Sequence, residues 1–235
     1  MLRVSGLSKR FGGLKAVDDV SLTLAREEIL GVIGPNGAGK TTLFSMIAGS
    51  LRPSAGTVEL EGASLTGLPA HRVVHQGIVR THQIVRPFAN LTVFENALAG
   101  ATFGADQTHA RHKAQEALEL VGLADRARDL PGSLTLAGRK KLELARALAT
   151  SPRVLLLDEV IAGVNPSEAL EMAQLIKQIR LARKLSILLI EHVMPAVMTL
   201  CDRVIVLDAG RAIAAGKPAE VVRDPLVIQA YLGSA

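Results

Sequence analysis

Hydrophobic and polar positions alternate through residues 2–33 in three runs, LRVSGL, VSLTLA and EILGVIG, with turns expected at residues 11–13 and 26–28. The first two runs read as exposed antiparallel strands. EILGVI is apolar at nearly every position, as expected of a strand covered on both faces, and a glycine-rich turn and a helix-forming segment over residues 41–48 follow it directly. RPSAGTVELEG reads as turn, strand, turn, and residues 68–79 have a mixed pattern. Helical spacing takes over from residue 92 to residue 121, where Ala, Leu and Glu dominate and His109, Arg111, His112 and Lys113 fall on the face expected to be wet. PGS at residues 131–133 marks the end of this insert, after which LAGRKKLELARALAT is helical again. RVLLLDE and LSILLIEH are then buried-strand runs on either side of the amphipathic SEALEMAQLIKQIRLARK, and DRVIVLDAGRAIAAG forms a hairpin-like pair about residues 208–211.

Strands alternating with helices predict an α/β fold with a mixed, mainly parallel sheet at its core, an antiparallel β part and an inserted helical part. One domain is expected over residues 1–235, its α/β core formed by residues 1–83 and 151–235 and its helical part by residues 84–150. No internal repeat, low-complexity tract or linker interrupts it.

Composition narrows the class. With 49% hydrophobic residues among 235 the chain can bury a sizeable core, yet no apolar run approaches the roughly 18–20 residues of a spanning helix. The amino terminus has charges near its start and lacks the layout of a secretory signal, so a cytosolic location is expected. Cys201 is the single cysteine and sits in an apolar run, as a small buried hydrophobe would. The 27 Lys and Arg exceed the 22 Asp and Glu, but the charges are scattered. With no Trp and one Tyr there are few platforms for stacking bases, which argues against a nucleic-acid partner. His71, His75, His82, His109 and His112 have no metal-ligand spacing and read as surface or packing residues.

Two segments carry the candidate chemistry. GPNGAGKT at residues 34–41 fits G-x-x-x-x-G-K-[ST] and lies between a buried strand and a helix, where a phosphate-binding loop must lie. Gly34, Gly37 and Gly39 let successive N–H groups turn toward an anion, with Pro35, Asn36 and Ala38 completing the loop and Thr42 following it at the positive end of the helix. Lys40 would place its charge on the β and γ phosphates of ATP, and the Thr41 hydroxyl would ligate Mg2+. VLLLDE ends a second buried strand in two carboxylates, at the edge where ligands bind in such sheets. Asp158 would hold Mg2+ through water, and Glu159, pointing the other way, is the expected general base for the attacking water. His192 follows LLIE at the equivalent edge, within reach of a γ phosphate.

In this order, the loop at Gly34, the helical insert, RKKLELARAL, LLLDE and IEH resemble the ATPase subunit of an ATP-binding cassette transporter over essentially the whole chain. The resemblance implies that Phe11 stacks on adenine with Val17 packed beside it. It implies that Gln83 senses Mg2+, takes part in catalysis and contacts the membrane partner. It also makes VNPSE a dimer-interface loop, with Asn165 where aspartate is usual. The family's LSGGQ segment here reads LTLAG: Thr135 keeps a hydroxyl, and Ala137 and Gly138 allow close approach, but Leu136 stands where glycine is usual. By the same resemblance, the partners are two transmembrane permease subunits, a second and different ATPase chain, and indirectly an external binding protein, with the chain peripheral on the inner face of the membrane. RTHQIVRPFANLTVFEN and EHVMPAVMTLCDRVIVLDAGRAIAAGKPAEVVRDPLVIQAYLG look most like importers of branched-chain amino acids and related amides. The alternatives are the ATPase of a lipid or polysaccharide exporter and a nucleotide-gated regulatory subunit; the coiled coils of DNA-repair cassettes are missing from the sequence.

Overall fold

The computed structural model describes residues 1–81, 86–104 and 109–232. In chain order its elements begin β1 (Leu2–Phe11), β2 (Leu14–Leu24), β3 (Ile29–Ile33), α1 (Lys40–Ile47), β4 (Ala55–Leu60), β5 (Ala63–Ser64), α2 (Ala70–His75) and β6 (Ile78–Arg80). They continue α3 (Val93–Phe103), α4 (Ala110–Leu120), α5 (Leu136–Ala149), β7 (Val154–Asp158), α6 (Pro166–Arg183) and β8 (Ser186–Ile190). The chain closes with α7 (Met194–Leu200), β9 (Arg203–Asp208), β10 (Arg211–Gly216), α8 (Pro218–Val221) and α9 (Pro225–Leu232).

The central sheet has the order β10-β9-β3-β8-β7-β6, parallel throughout except for β10, which returns antiparallel to β9. All five residues of β3, β7 and β8 are buried, which is why these strands are apolar at successive rather than alternate positions. Their side chains still alternate between two cores. Ile29, Ile33, Leu155, Leu157, Ile187 and Leu189 face the cluster that includes α3–α7. Leu30, Val32, Leu156, Leu188 and Ile190 face the cluster built from β1, β2, β4 and α1. Each central strand therefore joins two hydrophobic layers.

A second sheet, β2-β1-β4-β5, is antiparallel. Its first two strands are not exposed on both faces. Leu2, Val4 and Leu7 of β1 and Val17, Val20, Leu22 and Leu24 of β2 are buried, so only the alternate residues meet solvent. The mixed stretch at residues 68–79 resolves into α2 and the start of β6, a strand too short to show a period.

Local chemistry fixes the helix starts. Thr92 and Glu95 form a reciprocal capping box at α3, and Asn165 and Glu168 form another at α6, where Pro166 takes the first helical position. Cys201 is buried, and its Sγ lies 2.8 Å from where a Cβ on Gly31 would stand. Burial pushes its thiol up to about 12, so the group is an inert packing atom. No helix among the described residues is long and apolar enough to cross a membrane.

Candidate functional site

The carboxyl ends of β3, β8 and β7 lie side by side because the three strands are parallel neighbours. Residue 158 closes β7 and residues 34–42, 159 and 192 lie just beyond the ends of their strands, so strand order alone gathers the candidate chemistry at one edge.

The phosphate loop is held by backbone rather than by side chains. Gly34 has φ 144° and Gly39 φ 98°; a Cβ on the first would sit 2.0 Å from the Leu207 carbonyl oxygen, and on the second 2.3 Å from that of Ala16. Only glycine fits either position. The turn between β9 and β10 braces the loop from behind, with Gly210 N donating to Ala38 O and Asp18 N donating to Gly210 O. Among the described residues no side chain caps α1, and no acidic residue lies in its first turn, which leaves the N–H groups there available to an anion. Asn36, Gly37 and Thr41 are exposed, and Ala38 is buried. Lys40 is buried and curls back, its Nζ donating to Gly34 O at 2.7 Å and Pro35 O at 2.8 Å. Burial pushes this ammonium below its ordinary value, opposed by the charges of Glu159 and Asp158.

Asp158 closes β7 and is almost wholly buried. One oxygen, Oδ2, accepts from Arg80 Nη2 at 2.6 Å, while Oδ1 is buried with no hydrogen-bond partner among the described residues. Glu159 turns away from it in a left-handed conformation, φ 50°, that a residue with a long side chain adopts only when its surroundings impose it. Three contacts do so. Glu159 N donates to Ile190 O at 2.9 Å, Lys140 Nζ of α5 donates to the carbonyls of Glu159 and Ala162, and Glu191 Oε1 accepts from Ile161 N at 2.8 Å. The Glu159 carboxylate is thereby set 3.6 Å from His192 Nδ1, on a half-exposed imidazole.

The other candidates are dispersed. Phe11 ends β1, 49% exposed, with Lys9 Nζ 5.3 Å from its ring centroid. Val17 has no accessible surface and packs beneath Gly39. Thr135 caps α5, its Oγ1 accepting from Gly138 N at 3.1 Å, and Ala137 is buried. Leu136 is 43% exposed and approaches Gly163, so this segment borders the loop after Glu159 rather than the phosphate loop. Asn165, expected in an interface loop, caps α6. Gln83 lies outside the described residues.

Sequence reasoning missed Arg80, Lys140 and Glu191. The first two read as ordinary surface cations, and only the tertiary fold buries them. Glu191 had one signal, its position at the end of an all-apolar strand.

Beside Asp158 opens a cleft of about 650 Å3, lined by Thr41, Arg80, Asp158, Phe88, Phe103 and Arg146 among others. Arg146 lies 4.8 Å above the ring of Phe88, which remains about half exposed.

A family model described as ABC transporter matches residues 17–162, and one described as branched-chain amino acid ATP-binding cassette transporter matches residues 213–235. The high-affinity branched-chain amino acid transport ATP-binding protein LivG of Salmonella typhimurium is 41% identical, the match covering 100% of this chain and 98% of that protein. The lipopolysaccharide export system ATP-binding protein LptB of Haemophilus influenzae is 37% identical over 99% of this chain and 97% of its own. Among solved structures, a nucleotide-free ATP-binding cassette from an ABC transporter superposes with a TM-score of 0.91 at 31% identity, covering 100% of this chain and 99% of the other. An ADP-bound cassette gives the same score at 32% identity and the same coverage. With a family model spanning more than half its length and relatives at up to 41% identity from end to end, the chain belongs to the ABC transporter family, as an ATP-binding ATPase subunit.

Proposed function

We propose that this chain energises an importer of branched-chain amino acids or related amides by binding and hydrolysing ATP between itself and a second ATPase chain. The observation that carries the chemistry is the convergence of Lys40, Asp158, Glu159 and His192 at the adjoining ends of three parallel strands. The substrate class rests on the end-to-end identity to LivG and on the match at residues 213–235. Lipopolysaccharide export is the second reading, favoured by the 37% identity to LptB.

In this mechanism the phosphates settle on the N–H groups of residues 34–42, and Lys40 leaves the carbonyls of Gly34 and Pro35 for the β and γ phosphates. That exchange replaces two neutral acceptors with charged ones, which strengthens each hydrogen bond. The buried, unpartnered Asp158 Oδ1 and the exposed Thr41 at the head of α1 fit Mg2+ as oxygen donors. Among the described residues no cluster of three His, Cys, Asp or Glu could hold a metal by itself, so an ion here draws its remaining ligands from phosphate and water. It would neutralise charge on the transferring phosphoryl group. Glu159 accepts the proton of the attacking water, and His192 bonds the γ phosphate while holding the carboxylate in place. Phe11 offers its exposed ring to adenine.

Thr135, Ala137 and Gly138 act in trans: they border the loop after Glu159, and their hydrogen bonds do not reach the chain's own phosphate loop. A second ATPase chain, different or identical, presents the same segment in return. The cleft beside Phe88, Phe103 and Arg146 receives a cytoplasmic segment of one of two permease subunits, the second ATPase chain receives the other, an external binding protein delivers substrate, and the chain lies peripherally on the inner membrane face. Gln83 completes the metal-sensing link.

The test is recovery of partners with a Glu159→Gln variant from detergent-solubilised native membranes in ATP. Two polytopic membrane proteins and a second ATPase are expected, together with loss of leucine uptake in cells carrying the variant. Recovery of lipid-export components with leucine uptake intact would replace import by export. Soluble partners alone would remove transport from the proposal.

A further inference from the structure

Arg80 ends β6, and its guanidinium joins two other elements. Nη2 donates to Asp158 Oδ2 at 2.6 Å on β7, and Nη1 donates to Ser45 Oγ at 2.8 Å on α1. Ser45 spends its own proton on Thr41 O, at 2.7 Å, so it can only accept from Arg80. A directed chain thus runs from Arg80 through Ser45 to the backbone carbonyl of Thr41 in the first turn of α1.

The Arg80 side chain is 10% exposed and that of Asp158 1%. Buried ion pairs contribute little net stability, because desolvating both charges offsets most of their attraction. Stability alone therefore gives weak grounds for this pair, and its geometry gives stronger ones. A guanidinium that is itself held by a second element and bonds one carboxylate oxygen restrains the rotation of the carboxylate plane and hence the direction of the other oxygen. That other oxygen, Asp158 Oδ1, is buried without a hydrogen-bond partner among the described residues, as is Nε of Arg80 itself. Arg80 leaves it bare, since its second arm is committed to Ser45.

We infer that Arg80 is a positioning residue for the divalent cation: by gripping Asp158 Oδ2 with one arm while Ser45 of α1 holds the other, it presents Asp158 Oδ1 to a cation at the head of α1. The inference rests on the Mg2+–ATP reading above and goes beyond it by assigning the residue that orients that oxygen. Arg80 lines the cleft proposed for the permease together with Thr41 and Asp158, so that surface and the proposed metal donors share one wall.

The experiment is calorimetric titration of the purified full chain with ATP, in EDTA and in MgCl2, for the parent and for Arg80→Ala, Arg80→Lys and Ser45→Ala. The readout is the ratio of the two dissociation constants, which measures how strongly the cation supports nucleotide binding. Outer-shell partners of a metal site are usually worth about 10- to 100-fold in metal affinity, so Arg80→Ala is expected to cut the ratio about tenfold while the EDTA value moves less than about twofold. Lysine can make one of the two bonds, and Arg80→Lys should recover part of the ratio; Ser45→Ala should lower it by a smaller factor. If Arg80→Ala does not fold, these two milder variants decide the matter by the same criterion. An unchanged ratio in the variants overturns the inference, and a larger one overturns it in favour of an arginine that competes with the cation. A parent chain whose ATP affinity ignores Mg2+ removes the metal reading itself, and the inference with it.

Discussion

The start of α1 and the start of α5 are both glycine-bearing turns that open a helix, and they satisfy their first N–H groups in opposite ways. At α1 no side chain bonds to them, and the loop is locked from outside by backbone neighbours at Leu207, Ala16 and Gly210. At α5 the Thr135 hydroxyl takes the Gly138 N–H, and the segment turns a 43%-exposed Leu136 outward. One end is thus prepared for an anion within its own chain, whereas the other is complete as a helix start and directs what it has to spare toward another surface.

This difference predicts that damage at the α1 side will act on each chain alone and damage at α5 will act through pairing. The largest effect belongs to Glu159→Gln, which removes the base without removing a phosphate ligand. Phosphate release should fall at least about 100-fold, with ATP affinity nearly intact in equilibrium binding. Turnover like that of the parent would assign the base elsewhere. Lys40→Ala should do the reverse and weaken ATP binding by roughly 10- to 100-fold, the worth of a charge-assisted contact of about 1.5–3 kcal/mol. An unchanged dissociation constant would mean that Lys40 never leaves the carbonyls of Gly34 and Pro35.

Leu136→Glu tests the other side. A charge introduced where an apolar side chain is to be covered should lower turnover about tenfold, a cost of roughly 1.4 kcal/mol or more, while ATP affinity of the isolated chain stays as it was. Equal losses of binding and turnover would show that the segment serves its own chain. A smaller effect is expected from Thr135→Ala, which deletes the cap and should cost about 1 kcal/mol. In a chain of this size that corresponds to a fall in Tm of about 2–4 °C by calorimetry. No change in Tm would mean that the hydroxyl serves the partner site and not the helix.

The fold was legible wherever burial acts on runs of residues. The three central strands announced themselves by unbroken apolar stretches, because both of their faces are covered, and strand order then carried Lys40, Asp158, Glu159 and His192 to one edge. The pattern failed where structure depends on single long-range contacts. β6 is three residues long, too short for any period, yet it delivers Arg80 to Asp158 across 78 positions of sequence. Lys140 reads as the exposed cation of an amphipathic helix until α5 docks on the loop after Glu159. Asn165 is a different case, since the Asn-Pro-Ser-Glu spacing of a capping box was present in the sequence and was read only as an interface loop.

The smallest effect, and the most selective, concerns Glu191. Its carboxyl is held above the ordinary value of 4.5 chiefly by burial, against the opposing pull of the Ile161 N–H, the His192 charge and N–H, and the charge of Lys140. The native chain therefore keeps this proton at a pH where the unfolded chain has released it. Stability falls as pH rises from 4.5 through the native value, and the cost of burying the charge is complete above that window. Glutamine can still accept from Ile161 N without carrying the charge. Glu191→Gln should accordingly match or slightly exceed the parent near neutral pH, by on the order of 2 °C in Tm, with the gain fading as pH drops through that window toward 4.5 and absent below it. A variant less stable than the parent at neutral pH, with the deficit vanishing in acid, would reverse the sign and make Glu191 a paired anion. In that event Lys140 and Glu191 would act as a charged brace on the Glu159 loop, and the strain at Glu159 would be held by electrostatics rather than by backbone hydrogen bonds.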